Sequence, residues 1–285
     1  VRPPYISDPF LHQFIAAAFA EDVGDGDHST LAAIPASAKS RARLLVKQEG
    51  ILAGVELAEL IFKHYDSALT ITAGIPDGSP VKKGDIAFVV QGSSRSILTC
   101  ERLVLNCMQR MSAIATLTHH LCGLIKGTKA QLLDTRKTTP NFRLLEKWAV
   151  LIGGGANHRI GLFDMIMLKD NHIDMAGGIE KAIIQTKEYL RATKKDLRIE
   201  IETRNLEEVR EVIRVGGVDV IMLDNMSVED MKTAVALMDG KYKAEASGGI
   251  TEETIRSVAE SGVDFISAGA LTHSVKSMDL SLKAF

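Results

Sequence analysis

DTRKTTP at residues 134–140 and GGGANHRIGLFDMIMLKDNH at residues 153–172 lie close together in the chain and are built alike. Two short apolar, strand-like runs, 131–133 and 165–168, each end in a burst of charge. The first delivers Asp134, Arg136 and Lys137; the second delivers Lys169, Asp170, Asn171 and His172. Between them three glycines, 153–155, lead into His158 and Arg159. Four fixed cations and two histidines thus fall within one span. Like charges at this density repel one another unless an anion joins them. Taken singly, each reads equally as a solvated surface charge or as a structural pair with Asp134, Asp164 or Asp170. Taken together, at strand ends rather than along a helix surface, they read as a pocket for a small polyanion.

Working outward, the chain after residue 129 alternates strand and helix patterns. Strands are predicted at 131–134, 163–169, 197–202, 218–224, 242–246 and 263–268, with helices at 179–192, 206–215, 227–238 and 252–261. Units of this length imply right-handed βα crossovers and a parallel sheet, and their near-uniform spacing favours a barrel. The strand ends carry Arg136 and Lys137, then Lys169, Glu202, Asp224, Ser247-Gly248-Gly249, and Gly269-Ala270. In α/β barrels functional groups collect at that face. Glu202 and Asp224 read either as barrel-mouth ion pairs or as groups that bind a metal or stabilise developing positive charge. The glycine turns suit phosphate, with a helix expected to begin near Thr251.

Upstream, a helix at 9–20 precedes a polar turn, EDVGDGDHST at 21–30, which lacks the spacing and closing Glu of a calcium loop. Strands at 40–48, 69–72 and 86–91 and an amphipathic helix at 55–65 describe a small α/β domain with an antiparallel sheet. A long helical stretch, 96–125, reads as the hinge; its methionines read as core filler, and Arg102 and Arg110 are its polar exceptions. The expected organisation is an α/β protein: a small N-terminal domain over 1–115 and a barrel of about six parallel strands over 116–270. Residues 271–285 leave the barrel pattern and are free to return to the first domain.

The chain has 285 residues, 46% hydrophobic and 25% charged, with a net charge of −2. That balance argues against a general nucleic-acid or membrane-surface binder and makes the cationic cluster local. No apolar run is long enough to span a bilayer, and no signal-peptide pattern is seen. Cys100, Cys107 and Cys122 form no CxxC or Cys/His pattern, so reduced thiols and a cytoplasmic location are expected.

The motifs reached so far resemble those of quinolinate phosphoribosyltransferase, the carboxylating nicotinate-nucleotide pyrophosphorylase family. The matching pieces are ERLVLNCMQRMSAIAT at 101–116, the two stretches quoted at the outset, IEIE ending at Glu202, MLDNM at 222–226, EASGGI at 245–250 and GVDFISAGALTHS at 262–274. The resemblance implies conversion of quinolinate and phosphoribosyl pyrophosphate to nicotinate mononucleotide, pyrophosphate and carbon dioxide, with Mg2+, in NAD biosynthesis. It implies that the first domain is an N-terminal α/β sandwich domain and the second an open α/β barrel, in a homodimer or higher oligomer with shared active sites. Arg136, His158, Arg159 and Lys169 would surround the quinolinate carboxylates, and Arg102 would reach the neighbouring subunit's site. Lys137, Glu202, Asp224 and the loops at Ser247, Gly248, Gly249, Gly269 and Ala270 would hold the phosphoribosyl donor and its magnesium, as one ion or two.

The chemistry agrees with the residues. Adjacent carboxylates suit the planar fork of arginine. Anions near an anomeric carbon are useful as its leaving group departs. Three other readings use the same motifs: a related pyrophosphorylase with another substrate, a Schiff-base aldolase on a barrel with Lys137 or Lys169 as nucleophile, and a non-enzymatic phosphate-binding module.

Overall fold

The computed structural model describes residues 2–285. Along the first part of the chain the elements are α1 (Asp8–Val23), α2 (His28–Ala33), β1 (Lys39–Val46), β2 (Gly50–Ile51), α3 (Val55–Tyr65), β3 (Thr70–Ala73), β4 (Pro80–Val81), β5 (Ile86–Ser93) and α4 (Ser94–Leu124). Then follow β6 (Gln131–Leu133), α5 (Arg143–Ile152), β7 (Ile166–Leu168), α6 (Asp170–Ala176), α7 (Ile179–Thr193), β8 (Ile199–Thr203), α8 (Leu206–Val215) and β9 (Val220–Asp224). The chain closes with α9 (Val228–Met238), β10 (Lys243–Ser247), α10 (Ile255–Glu260), β11 (Phe265–Ser267), α11 (Ala270–His273) and β12 (Leu280–Ala284). They form two compact units: one takes the chain up to His119 together with Thr138–Gly154 and Ala270–Phe285, the other His120–Lys137 and Gly155–Gly269.

The first unit is built on an antiparallel sheet in the order β12-β1-β5-β3. Strand β1 alternates: Ala42, Leu44 and Val46 are buried, while Lys39 and Arg41 are exposed on the other face. The amphipathic helix α3 buries Leu57, Ala58, Ile61 and Phe62, and Phe62 meets Phe88 of β5 edge-on with ring centroids 6.1 Å apart. In α4 Val104, Met108, Met111, Ile114 and Ala115 are buried, as are Cys100 and Cys107. The cysteines are free, and burial pushes the Cys100 and Cys107 thiols up to about 12. Arg110, the polar exception on that helix, is explained within this unit. It forms a 2.9 Å ion pair with fully buried Glu146 and donates to the carbonyls of Thr272 and Val275. Glu146 in turn accepts from the Thr139 amide at 3.0 Å and its hydroxyl at 2.9 Å.

The second unit is a six-stranded, wholly parallel sheet in the order β6-β11-β10-β9-β8-β7. The first strand in sequence lies beside the last, the cyclic order of a barrel, while β6 and β7 at the two ends are not bonded to each other. Ala156 instead pairs with the free edge of β6 at Leu133. Ile201, Ile221, Leu223, Ala244 and Ala246 are buried on one face of the sheet, which α8 and α9 cover from β8 and β10. The opposite face carries Glu200, Glu202, Met222, Asp224, Glu245 and Ser247, placed there by the two-residue repeat and the parallel register.

Three local differences from the sequence reading have physical causes. The run at 163–169 yields only a three-residue β7, because Asp164 turns back to accept the amides of Ile160 and Gly161 at 2.8 and 2.9 Å. The helix expected at 252–261, beginning near Thr251, starts at Ile255 instead. The Thr251 amide donates to the Thr254 hydroxyl at 2.9 Å, and this local bond competes with the helix start. The spacer before the glycine run forms α5, whose Leu145, Trp148, Ala149 and Val150 are buried.

Candidate active site

The two motifs quoted first are clasped together by Asp134. Its carboxylate is fully buried at the end of β6 and accepts from Asn157 Nδ2 at 2.6 Å and from the His158 amide at 2.9 Å. Two backbone bonds, Ala156 N–H to Leu132 O at 2.8 Å and Asp134 N–H to Ala156 O at 3.2 Å, lay the 156–159 segment along that strand. A carboxylate accepting main-chain and amide donors is a strong, directional tie. It brings Arg136 and Lys137 into the same unit as Arg159.

Arg159 is 8% exposed, and among the described residues its only hydrogen-bond acceptor is the Met165 carbonyl, at 3.3 Å from Nη1. Burial pushes its guanidinium below the ordinary arginine value, and the nearby Arg136 pushes the same way against Glu200 and Asp164. A nearly buried fork with one carbonyl partner and a second arginine as neighbour is incompletely satisfied by the protein itself.

On the other side, Lys169 follows β7 and Glu202 sits within β8, with Lys169 Nζ 3.5 Å from Glu202 Oε2. Glu202 is 8% exposed. Burial pushes its carboxyl above the ordinary range, Lys169 opposes that, and Asp224 and Asp170 add to it. Asp224 closes β9, half-buried, and accepts from Asn225 Nδ2 at 2.8 Å. Glu202 and Asp224 lie on neighbouring strands of the sheet, and carboxylates are the hard-oxygen type of donor that magnesium takes. Lys137 is exposed and Lys169 half-exposed beside a carboxylate, so neither has the apolar burial that activates a Schiff-base lysine.

The glycine turn after β10 is required by its neighbours. Gly248 has φ +90°, and a Cβ there would lie 2.4 Å from Asn225 Oδ1. Gly249 has φ +61°, and the Asn225 amide donates to Ser247 O at 2.9 Å. Ser247 is level with Asp224 in the register. After β11, Ala268 N–H donates to Leu133 O at 3.0 Å and Gly269 follows in the second unit, whereas Ala270 opens α11 and groups with the first. Arg102 also belongs to the first unit, exposed on α4, with no hydrogen bond or ion pair among the described residues.

Below this layer lies a second one that the sequence reading did not single out. Glu200 and Glu245 are each 1% exposed and flank His158, whose Nε2 is 3.0 Å from Glu200 Oε2 and 3.5 Å from Glu245 Oε2. The ligand atoms of the three groups lie within 4.8 Å of one another. Burial disfavours a charged imidazole here, but the hydrogen bonds and field of the two carboxylates prevail and push His158 up to about 9. Its Nδ1 accepts from the Arg159 amide at 2.8 Å, which requires the lone pair on that nitrogen. The two pull in opposite directions: the carboxylates favour a second ring proton, but on Nδ1 it would displace the amide, and the short Nδ1 contact is that of the ring protonated on Nε2 alone. Glu200 is in turn pushed up by burial and by Glu245, against the pull of His158 and Arg159. The signal was present in IEIE: glutamates two apart on a strand face the same way, so Glu202 at the mouth implies Glu200 beneath it.

An α/β protein with cationic, acidic and glycine residues gathered at the strand ends of a parallel six-stranded sheet is the class that these features define. The profile for the quinolinate phosphoribosyl transferase C-terminal domain matches residues 114–283, and that for its N-terminal domain matches 27–112. Quinolinate phosphoribosyltransferase [decarboxylating] 2, mitochondrial, of Nicotiana glauca is 46% identical over 99% of this chain and 84% of its own length. The probable nicotinate-nucleotide pyrophosphorylase [carboxylating] of Synechocystis sp. is 40% identical over 99% of this chain and 94% of its own. The crystal structure of NadC from Streptococcus pyogenes superposes with a TM-score of 0.92 at 39% identity, covering 98% of this chain and 97% of that one. The nicotinate-nucleotide pyrophosphorylase structure from Francisella tularensis gives 0.91 at 40% identity, covering 98% of each. This chain belongs to the quinolinate phosphoribosyltransferase family.

Proposed function

We propose that the protein transfers the phosphoribosyl group of phosphoribosyl pyrophosphate to quinolinate and releases carbon dioxide, giving nicotinate mononucleotide and pyrophosphate. The observation that carries this is Arg159: nearly buried, beside Arg136, and held by one carbonyl, it lacks an anion that a dicarboxylate supplies. Arg136, Arg159 and Lys169 orient the pyridine ring, so that its nitrogen meets the anomeric carbon. Glu202 and Asp224 place negative charge where that carbon becomes cationic as pyrophosphate leaves. The same two carboxylates would hold magnesium, which when bound neutralises the pyrophosphate leaving group. Lys137 and the Ser247-Gly248-Gly249 and Gly269-Ala270 turns take the donor's phosphates. After transfer the ring nitrogen is cationic; the electron pair of the breaking carbon–carboxylate bond stays on the adjacent ring carbon, stabilised by that charge, carbon dioxide leaves, and the carbon takes a proton from water. That step needs orientation and desolvation rather than a dedicated base.

The free cysteines fit a reducing compartment, and we place the enzyme in the cytoplasm, although the Nicotiana glauca relative is named mitochondrial. No helix is long and apolar enough to cross a membrane. Arg102, exposed and without a hydrogen bond or ion pair among the described residues, supports a homodimer or higher oligomer in which it completes the partner's site. The reading is tested by incubating the protein with quinolinate, phosphoribosyl pyrophosphate and magnesium chloride and following nicotinate mononucleotide by chromatography. Product that requires all three is expected; no product, or transfer to another acceptor in preference to quinolinate, would overturn it.

A further inference from the structure

His158 has no ring nitrogen to spare for a substrate. Nε2 faces Glu200 and Glu245 at 3.0 and 3.5 Å, and Nδ1 accepts the Arg159 amide at 2.8 Å. A ligand carboxylate would have to displace one of these partners. The peptide linking His158 to Arg159 is meanwhile gripped on both sides, because the His158 amide donates to buried Asp134 at 2.9 Å. Arg159 leaves that peptide with a single carbonyl holding its guanidinium. The direction of the fork is therefore set mainly by the backbone from which it springs, and the imidazole fixes that backbone. From below, the imidazole faces two carboxylates at ion-pair distance, Nε2 lying 3.0 and 3.5 Å from their Oε2 atoms, and Nε2 and both Oε1 atoms are buried. Such an arrangement leaves Nε2 one direction in which to point, and it repeats the logic by which outer groups orient a working histidine.

We infer that His158, Glu200 and Glu245 form a buried positioning cluster that aims Arg159, and that none of the three touches the acceptor's carboxylates. This rests on the assignment of Arg159 to quinolinate made above. The cluster adds a specificity layer beneath the mouth, and it acts on the acceptor side through the 2.8 Å bond from the Arg159 amide to His158 Nδ1.

The test is a set of double-mutant cycles on the intact protein. Glu245→Gln and the pair Glu200→Gln with Glu245→Gln are made in the wild-type and Arg159→Ala backgrounds, and quinolinate and phosphoribosyl pyrophosphate are each titrated by calorimetry. In the wild-type background the glutamine pair is expected to weaken quinolinate about 10-fold or more, the size of effect that a small misplacement of a binding group produces. Donor affinity should stay within about 2-fold, and in the Arg159→Ala background the further loss of quinolinate should be under about 2-fold. Picolinate and nicotinate, each lacking one carboxylate, provide a second readout with His158→Gln. Direct contact would make the His158→Gln effect vanish for one of them; a positioning role makes it follow the Arg159→Ala effect for both. Full additivity with Arg159→Ala, or unchanged quinolinate binding in folded glutamine variants, would overturn the inference. Normal quinolinate binding by Arg159→Ala alone would instead remove the underlying assignment, so the two failures are told apart. Should the paired variant not fold, Glu245→Gln alone carries the same comparison.

Discussion

Strand β8 carries two glutamates, Glu200 and Glu202, two positions apart on one face, in opposite electrostatic situations. Glu200 lies in a closed layer in which its partners are internal: His158 bridges it to Glu245. Glu202 lies at the mouth, where Lys169 is 3.5 Å away and half-exposed and Asp224 adds repulsion. The Arg159 guanidinium has, among the described residues, only the Met165 carbonyl as hydrogen-bond acceptor. Removing one member of an internally compensated set strands the others in low dielectric, whereas removing a group that awaits a ligand costs the protein little until the ligand arrives. The proposed function thus assigns stability to the lower layer and binding to the residues above it.

This contrast is open to breaking by substitution. His158→Ala leaves Glu200 and Glu245 buried without their bridging donor and should destabilise the fold by about 3–5 kcal/mol, read by denaturant unfolding. A loss under about 1 kcal/mol would mean that the lower layer is not closed as described. Arg159→Ala should behave in the opposite way. Thermal stability should stay near the wild-type value, while quinolinate affinity falls by about 2–5 kcal/mol in calorimetry. An unchanged affinity would remove Arg159 from the acceptor pocket.

Smaller effects sharpen the division within the mouth. Glu202→Gln and Asp224→Asn keep size and lose charge; kcat should fall by about 100-fold, with quinolinate affinity changed much less. Near-normal kcat at saturating magnesium and donor would contradict a role for these charges. Arg102→Ala and Lys137→Ala, each folded and inactive alone, should restore activity when their subunits exchange. One site of a mixed dimer then receives both defects and the other none, so random exchange regains about one quarter of wild-type sites. A mixture that stays inactive despite verified exchange would place Arg102 within its own subunit's site.

Much of the mouth was legible because charge and glycine at strand ends need no tertiary information. Arg136, Arg159, Lys169, Glu202, Asp224 and Ser247 all lie in the second unit, at or beside strand ends of the parallel sheet or, for Arg159, on the segment laid along β6. The strand pattern also conveyed an α/β chain with an antiparallel first domain and six parallel strands. What stayed hidden depended on partners distant in sequence. Glu245 reads as an ordinary strand residue until register sets it beside Met222 and His158 reaches it from another loop. The contacts of His158 were hidden too, because a histidine's two nitrogens carry no label of their destination; only distances reveal Glu200 beside Nε2 and the Arg159 amide on Nδ1. Helix α10 began late because two threonine hydroxyl bonds outweigh a helical pattern over so short a stretch. Arg110 was visible as an exception, but its reason, Glu146, sits in the spacer where no helix had been expected.

The most direct test of the account as a whole follows both products of one turnover. Quinolinate labelled in the carboxylate adjacent to the ring nitrogen is incubated with the enzyme, phosphoribosyl pyrophosphate and magnesium chloride, and labelled carbon dioxide and pyrophosphate are measured in parallel. Equal amounts of the two, with neither formed when the donor is left out, is the predicted result. Carbon dioxide released without donor, or pyrophosphate released without carbon dioxide, would contradict a mechanism in which glycosylation of the ring nitrogen is what permits the carboxylate to leave.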